Sequence, residues 1–154
     1  MIKNKEFKEV LRMYIKCKHN IRVHDAEAVA KIFYAVLKSE CKVDRDKEHL
    51  WSMGLTSGHR VVYLELISLG DLIESVVHPR EVFRSAILKG VYSLILCHNH
   101  PGEEAKPSLE DKKVTERLQA AGEILGIKIL DHIILGKDNI YSFTKDSQKA
   151  RRLI

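Results

Sequence analysis

The stretch His98-Asn99-His100-Pro101, followed by a Ser-x-x-Asp at Ser108 and Asp111, supplies the residue types of a metal site. Residues 91 to 97, Val-Tyr-Ser-Leu-Ile-Leu-Cys, are an apolar β-prone run. His98 and His100, two positions apart on an extended chain, therefore project from one face. Two imidazoles so placed can converge on one ion. Neutral imidazole and carboxylate suit Zn²⁺, and three protein ligands plus a water describe an open, hydrolytic site rather than a closed structural one.

Asp111 has two readings. Pro107-Ser108-Leu109-Glu110-Asp111 looks like a helix start, with Ser108 as N-cap and a carboxylate three residues on that reaches back to the first turn. A Ser-x-x-Asp before a helical pattern is a common capping box, and an isolated His-x-His is a weak signal. The combination says more. The strand end carrying the histidines and the helix start carrying Asp111 are joined by a short loop bounded by Pro101 and Pro107, which can fold both ends around one ion.

These residues resemble the His-x-His-Pro and Ser-x-x-Asp signature of the JAMM (MPN+, JAB) metallopeptidases. Three blocks are similar, more narrowly, to the RadC-type JAB domain of bacteria. They are residues 77 to 83 (Val-His-Pro-Arg-Glu-Val-Phe), the His-Asn-His-Pro stretch, and residues 130 to 136 (Leu-Asp-His-Ile-Ile-Leu-Gly) with Tyr141-Ser142-Phe143. The resemblance covers roughly residues 46 to 144. It implies a three-layer α/β/α fold with a mixed central sheet, related in shape to the zinc deaminases. It also implies a zinc ion held by His98, His100 and Asp111.

Such an ion would lower the pKa of its bound water to about 7, and a carboxylate base is still needed to take the proton. The resemblance places that base on an early strand, at Glu48, with Glu65 as the alternative on the following strand. It gives Ser108 the task of donating a hydrogen bond to the developing oxyanion. Glu81 reads as helix surface near a helix N-terminus. Asp131 and His132 either orient a metal-bound imidazole or are ordinary strand-end polar residues. His78 and Arg80 are candidates for a substrate surface. The implied reaction is cleavage of an amide or isopeptide bond in a protein or peptide.

At 154 residues with 45% hydrophobic composition, one domain with a proper core is expected over residues 1 to 154. No apolar run of membrane-spanning length and no apolar signal region is present, so a cytoplasmic protein without membrane association is expected. Cys17, Cys41 and Cys97 are odd in number and widely spaced, which argues against a disulfide framework and a cysteine-ligated zinc. Strand alternation turns Cys97 away from the histidine face and into the core. Residues 1 to 45 hold 11 Lys and Arg against 6 Asp and Glu, and the remaining residues hold 15 of each. A basic leader of this kind can hold nucleic acid, yet it lacks interleaved aromatics and any reading motif, so solvated surface is the expectation. The helix-hairpin-helix region of larger RadC-type proteins is not found in it.

The elements that must carry the site follow from periodicity. Alternation over Leu11 to Cys17 predicts a strand, although Phe7, Val10, Leu11 and Tyr14 also fit helical spacing. Asp25 caps a helix through about Glu40 with a stripe of Ala26, Val29, Ala30, Phe33 and Leu37. Leu50 to Leu55 and Arg60 to Ser68 form a hairpin about Thr56-Ser57-Gly58-His59. Pro79 opens a helix whose Val82, Phe83, Ala86 and Ile87 face inward and which stops near Gly90. A helix from Ser108, with Val114, Leu118, Ala121 and Leu125 on one side, ends at Gly126. Ile127 to Leu135 and Ile140 to Phe143 complete the strands around a turn at residues 136 to 139. Strands interspersed with helices imply a mixed sheet covered on both faces.

Two other readings compete. A zinc-containing binding module without catalysis shares the same ligand set. A nucleic-acid role follows from the historical DNA-repair label of the RadC family. A contiguous His-Asn-His followed by Pro is no evidence for the nucleases of that name, the His-x-Glu and Pro-Cys-x-x-Cys of the deaminases are absent, and so is His-Glu-x-x-His. At residues 102 to 104 the chain has Gly-Glu-Glu where the RadC pattern has Ser-Gly-Asp.

Overall fold

The computed structural model describes residues 14–16, 20–70, 77–145 and 151–152. The strand expected over Leu11 to Cys17 is present as β1 (Tyr14–Lys16), and the rest of that stretch lies outside the described residues, as does the start of the basic leader. Helix α1 (Ala26–Ser39) starts where Asp25 accepts a bond from the Ala28 N–H at 2.7 Å. A short helix α2 (Lys42–Arg45), with no signal in the sequence reading, leads into the hairpin of β2 (His49–Leu55) and β3 (Val61–Leu69). Helix α3 (Pro79–Lys89) has Pro79 in its first turn and ends at Gly90. Strand β4 (Ser93–Asn99), helix α4 (Leu109–Leu125), strand β5 (Lys128–Leu135), strand β6 (Asn139–Ser142) and a short β7 (Arg151–Arg152) follow.

The strands form one sheet in the order β1-β3-β2-β4-β5-β6-β7. Strand β4 lies at its centre, antiparallel to β2 and parallel to β5, so the sheet is mixed. The parallel pair needs a crossover, and α4 supplies it. The chain reverses direction beyond Asn99, so the carboxyl end of β4 and the start of α4 meet at one edge of the layers. In open α/β sheets such a place commonly carries the ligand.

Side-chain alternation divides the core in two. Trp51, Met53, Leu55, Ile95, Cys97, Ile133 and Leu135 pack under α1 through Val29, Ala30 and Phe33. Leu50, Tyr63, Leu94 and Leu96 pack on the other face against Val82, Phe83 and Ala86 of α3 and Leu118 of α4. The molecule is therefore a three-layer α/β/α arrangement. Cys97 is fully buried on the α1 face, which sends His98 to the α3/α4 face.

Two helical faces differ from their periodicity. Ile87 is 56% exposed rather than inward, because α3 buries only Val82, Phe83 and Ala86. On α4 the inward residues are Asp111, Thr115, Leu118 and Gly122, while Leu125 is exposed. The apolar stripe thus points about one residue away from the true buried face, whose first two turns are polar. Gly126 ends α4 in the left-handed region with φ 67°, which a glycine adopts without a Cβ penalty. Among the described residues, no helix is long and apolar enough to cross a membrane.

Candidate metal centre

Strand β4 is buried along its whole length, and its last residues place successive side chains on opposite faces. His98 is fully buried and His100 partly exposed. Their Nε2 atoms lie 3.0 Å apart. The carboxylate of Asp111, brought in by the first turn of α4, lies 3.2 Å from His98 Nε2 through Oδ1 and 3.4 Å from His100 Nε2 through Oδ2. Among the described residues these three form the one group of metal-ligating side chains, with their ligand atoms all within 4.8 Å of one another.

The donor set fits zinc. Ligands about 2.0 to 2.1 Å from a tetrahedral ion lie about 3.3 to 3.4 Å from one another, close to the separations found here. The ring of His100 is turned by a contact of 3.3 Å between its Nδ1 and the Glu104 carbonyl. A carbonyl only accepts, so His100 Nδ1 carries a proton and its Nε2 is the nitrogen that faces the cluster.

Electrostatics favour a carboxylate here. Burial raises the Asp111 carboxyl, but hydrogen bonds with His100 and His98, the charge of His98 and the Ser108 N–H outweigh it and hold the group far below the usual carboxylate range. For His100, burial lowers the pKa, and the bond to and charge of Asp111 overcome this to leave it raised.

Ser108 and Asp111 form a complete capping box. Ser108 N–H donates to Asp111 Oδ2 at 2.7 Å, Ser108 Oγ donates to the same oxygen at 2.8 Å, and Asp111 N–H donates back to Ser108 Oγ at 3.0 Å. The cap holds Oδ2 and leaves Oδ1 turned to His98, so capping and convergence on the histidines occur together.

An open cleft of about 280 Å³ lies over the cluster. Glu48, Leu50, Val77, Glu103, Lys106 and Val114 help to line it, together with both histidines and Asp111. Glu48 directly precedes β2, and since Leu50 pairs with His98, the strand register brings Glu48 beside His100. The negative charge of Glu48 is among the influences that raise His100.

The sequence model of the family described as RadC-like JAB domain matches residues 23–149. The chain belongs to the RadC-like JAB domain family. The UPF0758 protein of Desulforudis audaxviator is 49% identical over 100 residues, covering 65% of this chain and 43% of that protein. The UPF0758 protein of Finegoldia magna is 42% identical over 130 residues, covering 84% of this chain and 56% of its own length. The chain spans about half the length of the curated relatives it matches.

The remaining sequence candidates of this RadC-like JAB domain sit as follows. Glu65 is on β3 opposite Ser52, with its Oε2 buried, and it does not line the cleft. Glu81 forms ion pairs with Arg80 at 3.4 Å and Arg84 at 3.0 Å on the α3 surface. His78 and Arg80 are exposed and likewise outside the cleft lining. Asp131 and His132 part company. Asp131 is consumed by bonds from the His132 N–H at 2.8 Å, Ser142 Oγ at 2.6 Å and the Thr144 N–H at 3.1 Å, and it lies on the opposite face of β5 from His132. His132 reaches His98 Nδ1 with its Nε2 at 2.8 Å and Thr115 with its Nδ1 at 2.6 Å. Burial, then the charge of His98, holds His132 well below the ordinary histidine range, so its ring is neutral.

Sequence reasoning missed Thr115, Asn99 and Gly136. Gly136 is buried, and a Cβ there would run into Asn139 Oδ1, the Ala105 N–H and the backbone carbon of Glu104. Its missing side chain lets the 101 to 108 loop close down, where Asn139 Oδ1 accepts from Ala105 N–H at 2.8 Å and Glu103 O accepts from Lys137 N–H at 2.7 Å. The Glu104 contact to His100 uses the backbone carbonyl, so the Gly-Glu-Glu departure at residues 102 to 104 keeps it.

Proposed function

We propose that this domain is a zinc-dependent hydrolase of the JAMM type, cleaving an amide or isopeptide bond in a peptide or protein. The observation that carries the reading is the convergence of His98 Nε2, His100 Nε2 and the Asp111 carboxylate beside Glu48 in one open cleft. His98, His100 and Asp111, which line the cleft, would hold the ion. Bound zinc supplies Lewis acidity, which activates water near neutral pH and polarises a carbonyl.

The protein's own side chains do the rest. Glu48 accepts the proton of the attacking water and returns it to the leaving amine, the two halves of general acid and base work. Asp111 Oδ2 stays with the Ser108 N–H, so the Ser108 hydroxyl can rotate toward the developing oxyanion without releasing the cap. Leu50, Val77 and Val114 give the cleft an apolar wall that excludes water from the scissile bond.

The test is metal content followed by turnover. Protein stripped by chelation and reloaded should retain one zinc per chain and hydrolyse members of a peptide and isopeptide panel. His98→Ala should lose both properties. Zinc-loaded protein inert across the panel would favour a binding module, and failure to retain zinc would overturn the metal centre itself.

A further inference from the structure

We infer that the Thr115 hydroxyl sets the tautomer of His132, which in turn commits His98 Nδ1 to donating and so reserves His98 Nε2 for a cation. The inference deepens the metal-centre reading and rests on it. Thr115 Oγ1 lies 2.6 Å from the Asp111 carbonyl oxygen and 2.6 Å from His132 Nδ1. A carbonyl can only accept, and two oxygens at that separation need a proton between them, so the hydroxyl donates to Asp111. What the hydroxyl has left is acceptor capacity, so His132 Nδ1 must carry a proton. His132 is 2% exposed, and burial disfavours a charged ring, so its Nε2 holds a lone pair 2.8 Å from His98 Nδ1, which donates to it. With the proton on Nδ1 committed to His132, His98 Nε2 is the ring nitrogen available to a cation at the point where His100 and Asp111 converge.

Reversing the first bond reverses them all. A hydroxyl that donated to His132 would leave the Asp111 carbonyl facing a bare oxygen, move the His132 proton to Nε2, and place the His98 proton on Nε2, where a cation would sit. Thr115 and His132 are each 2% exposed and His98 is 0% exposed, so no bulk water can substitute for a missing partner. Thr115 lies one turn beyond Asp111 on α4, so one hydroxyl ties the backbone of one ligand to the ring orientation of another. Thr115 and His132 are thus positioning residues; neither touches the ion.

The variants can separate this role from packing. His132 stacks on Phe143 with ring centroids 5.1 Å apart and planes at 12°, so His132→Phe keeps a ring in the stack and removes the acceptor. Thr115→Val keeps the shape and removes the hydroxyl, and Thr115→Ser keeps the hydroxyl. In the metal-free wild-type chain, ¹⁵N NMR of the histidine side chains should show His98 protonated at Nδ1. Zinc affinity, read by competition with a chromophoric chelator, should fall about 10- to 100-fold in Thr115→Val and His132→Phe and return to the wild-type value in Thr115→Ser. A wild-type His98 with no proton on Nδ1 overturns the inference, and that spectrum decides even if a variant does not fold. Equal zinc affinity in all four proteins overturns it too while leaving the metal centre standing. A wild-type chain that takes up no zinc strikes the metal centre first, and the purpose assigned to the relay with it.

Discussion

Asn99 Oδ1 accepts the His49 backbone N–H at 2.8 Å, while its Nδ2 donates to the Lys47 carbonyl at 3.0 Å, so one amide clasps the residues on either side of Glu48. The middle residue of His-Asn-His thereby fixes the Glu48 backbone, at the entrance to β2, against the end of β4. Asn99→Ala should retain zinc and lose about 10²-fold in kcat, the scale expected when a reacting group is misplaced by about 1 Å. Metal analysis and steady-state kinetics check it; unchanged kcat would remove Asn99 from the positioning machinery.

Glu48→Gln should keep zinc and fold while losing roughly 10²- to 10⁴-fold in turnover. Glu65→Gln should leave turnover unchanged, since Glu65 does not line the cleft. Equal effects from the two substitutions would remove Glu48 from its assigned role.

Gly136→Ala should lift the 101 to 108 loop away from the turn after β5, because its Cβ meets Ala105 and Asn139. A destabilisation of about 1 to 3 kcal/mol is expected from overpacking. Zinc affinity should fall with it, as His100 loses its Glu104 carbonyl. Urea denaturation and chelator competition on the same variant measure both effects.

His49 gives a pH dependence of known sign. Burial, only partly offset by its bond to the Lys47 carbonyl, lowers its pKa below the ordinary value of about 6.5. A depressed folded pKa contributes stability that is fully present above pH about 6.5 and is lost as pH falls through the folded value, because the unfolded chain takes up the proton first. Metal-free protein should therefore unfold at lower urea at pH 5.5 than at pH 7.5, and His49→Phe should narrow that gap. Trp51, the single tryptophan of the chain and stacked on His49 at 4.7 Å, is the fluorescence reporter.

Much of the scaffold was legible because its signals are local. Asp25, Pro79, Gly90 and Gly126 each mark a helix end by their own backbone or capping chemistry, and the alternation of residues 93 to 99 separates Cys97 from His98. The supporting residues were legible only in part, His132 as one of two alternatives and Thr115 not at all, because their meaning lies across strands. Thr115 is a polar residue on a buried helical face, so a search for apolar stripes passes over it and selects Val114 instead. His132 gains its role only when β5 pairs with β4 and sets it opposite Leu96. Asp131, its neighbour, points to the other face for the same reason. Ile87, by contrast, fits the stripe and is exposed, because no element covers that part of α3 among the described residues.

The bonds between Ser108 and Asp111 are made entirely within the polypeptide, so the ligand carboxylate is already parked in place before any cation arrives. On the proposed reading, extracting a bound zinc should then cost the domain its chemistry and spare its architecture. A cell short of zinc would hold this domain as an intact, idle vessel, ready to restart without refolding.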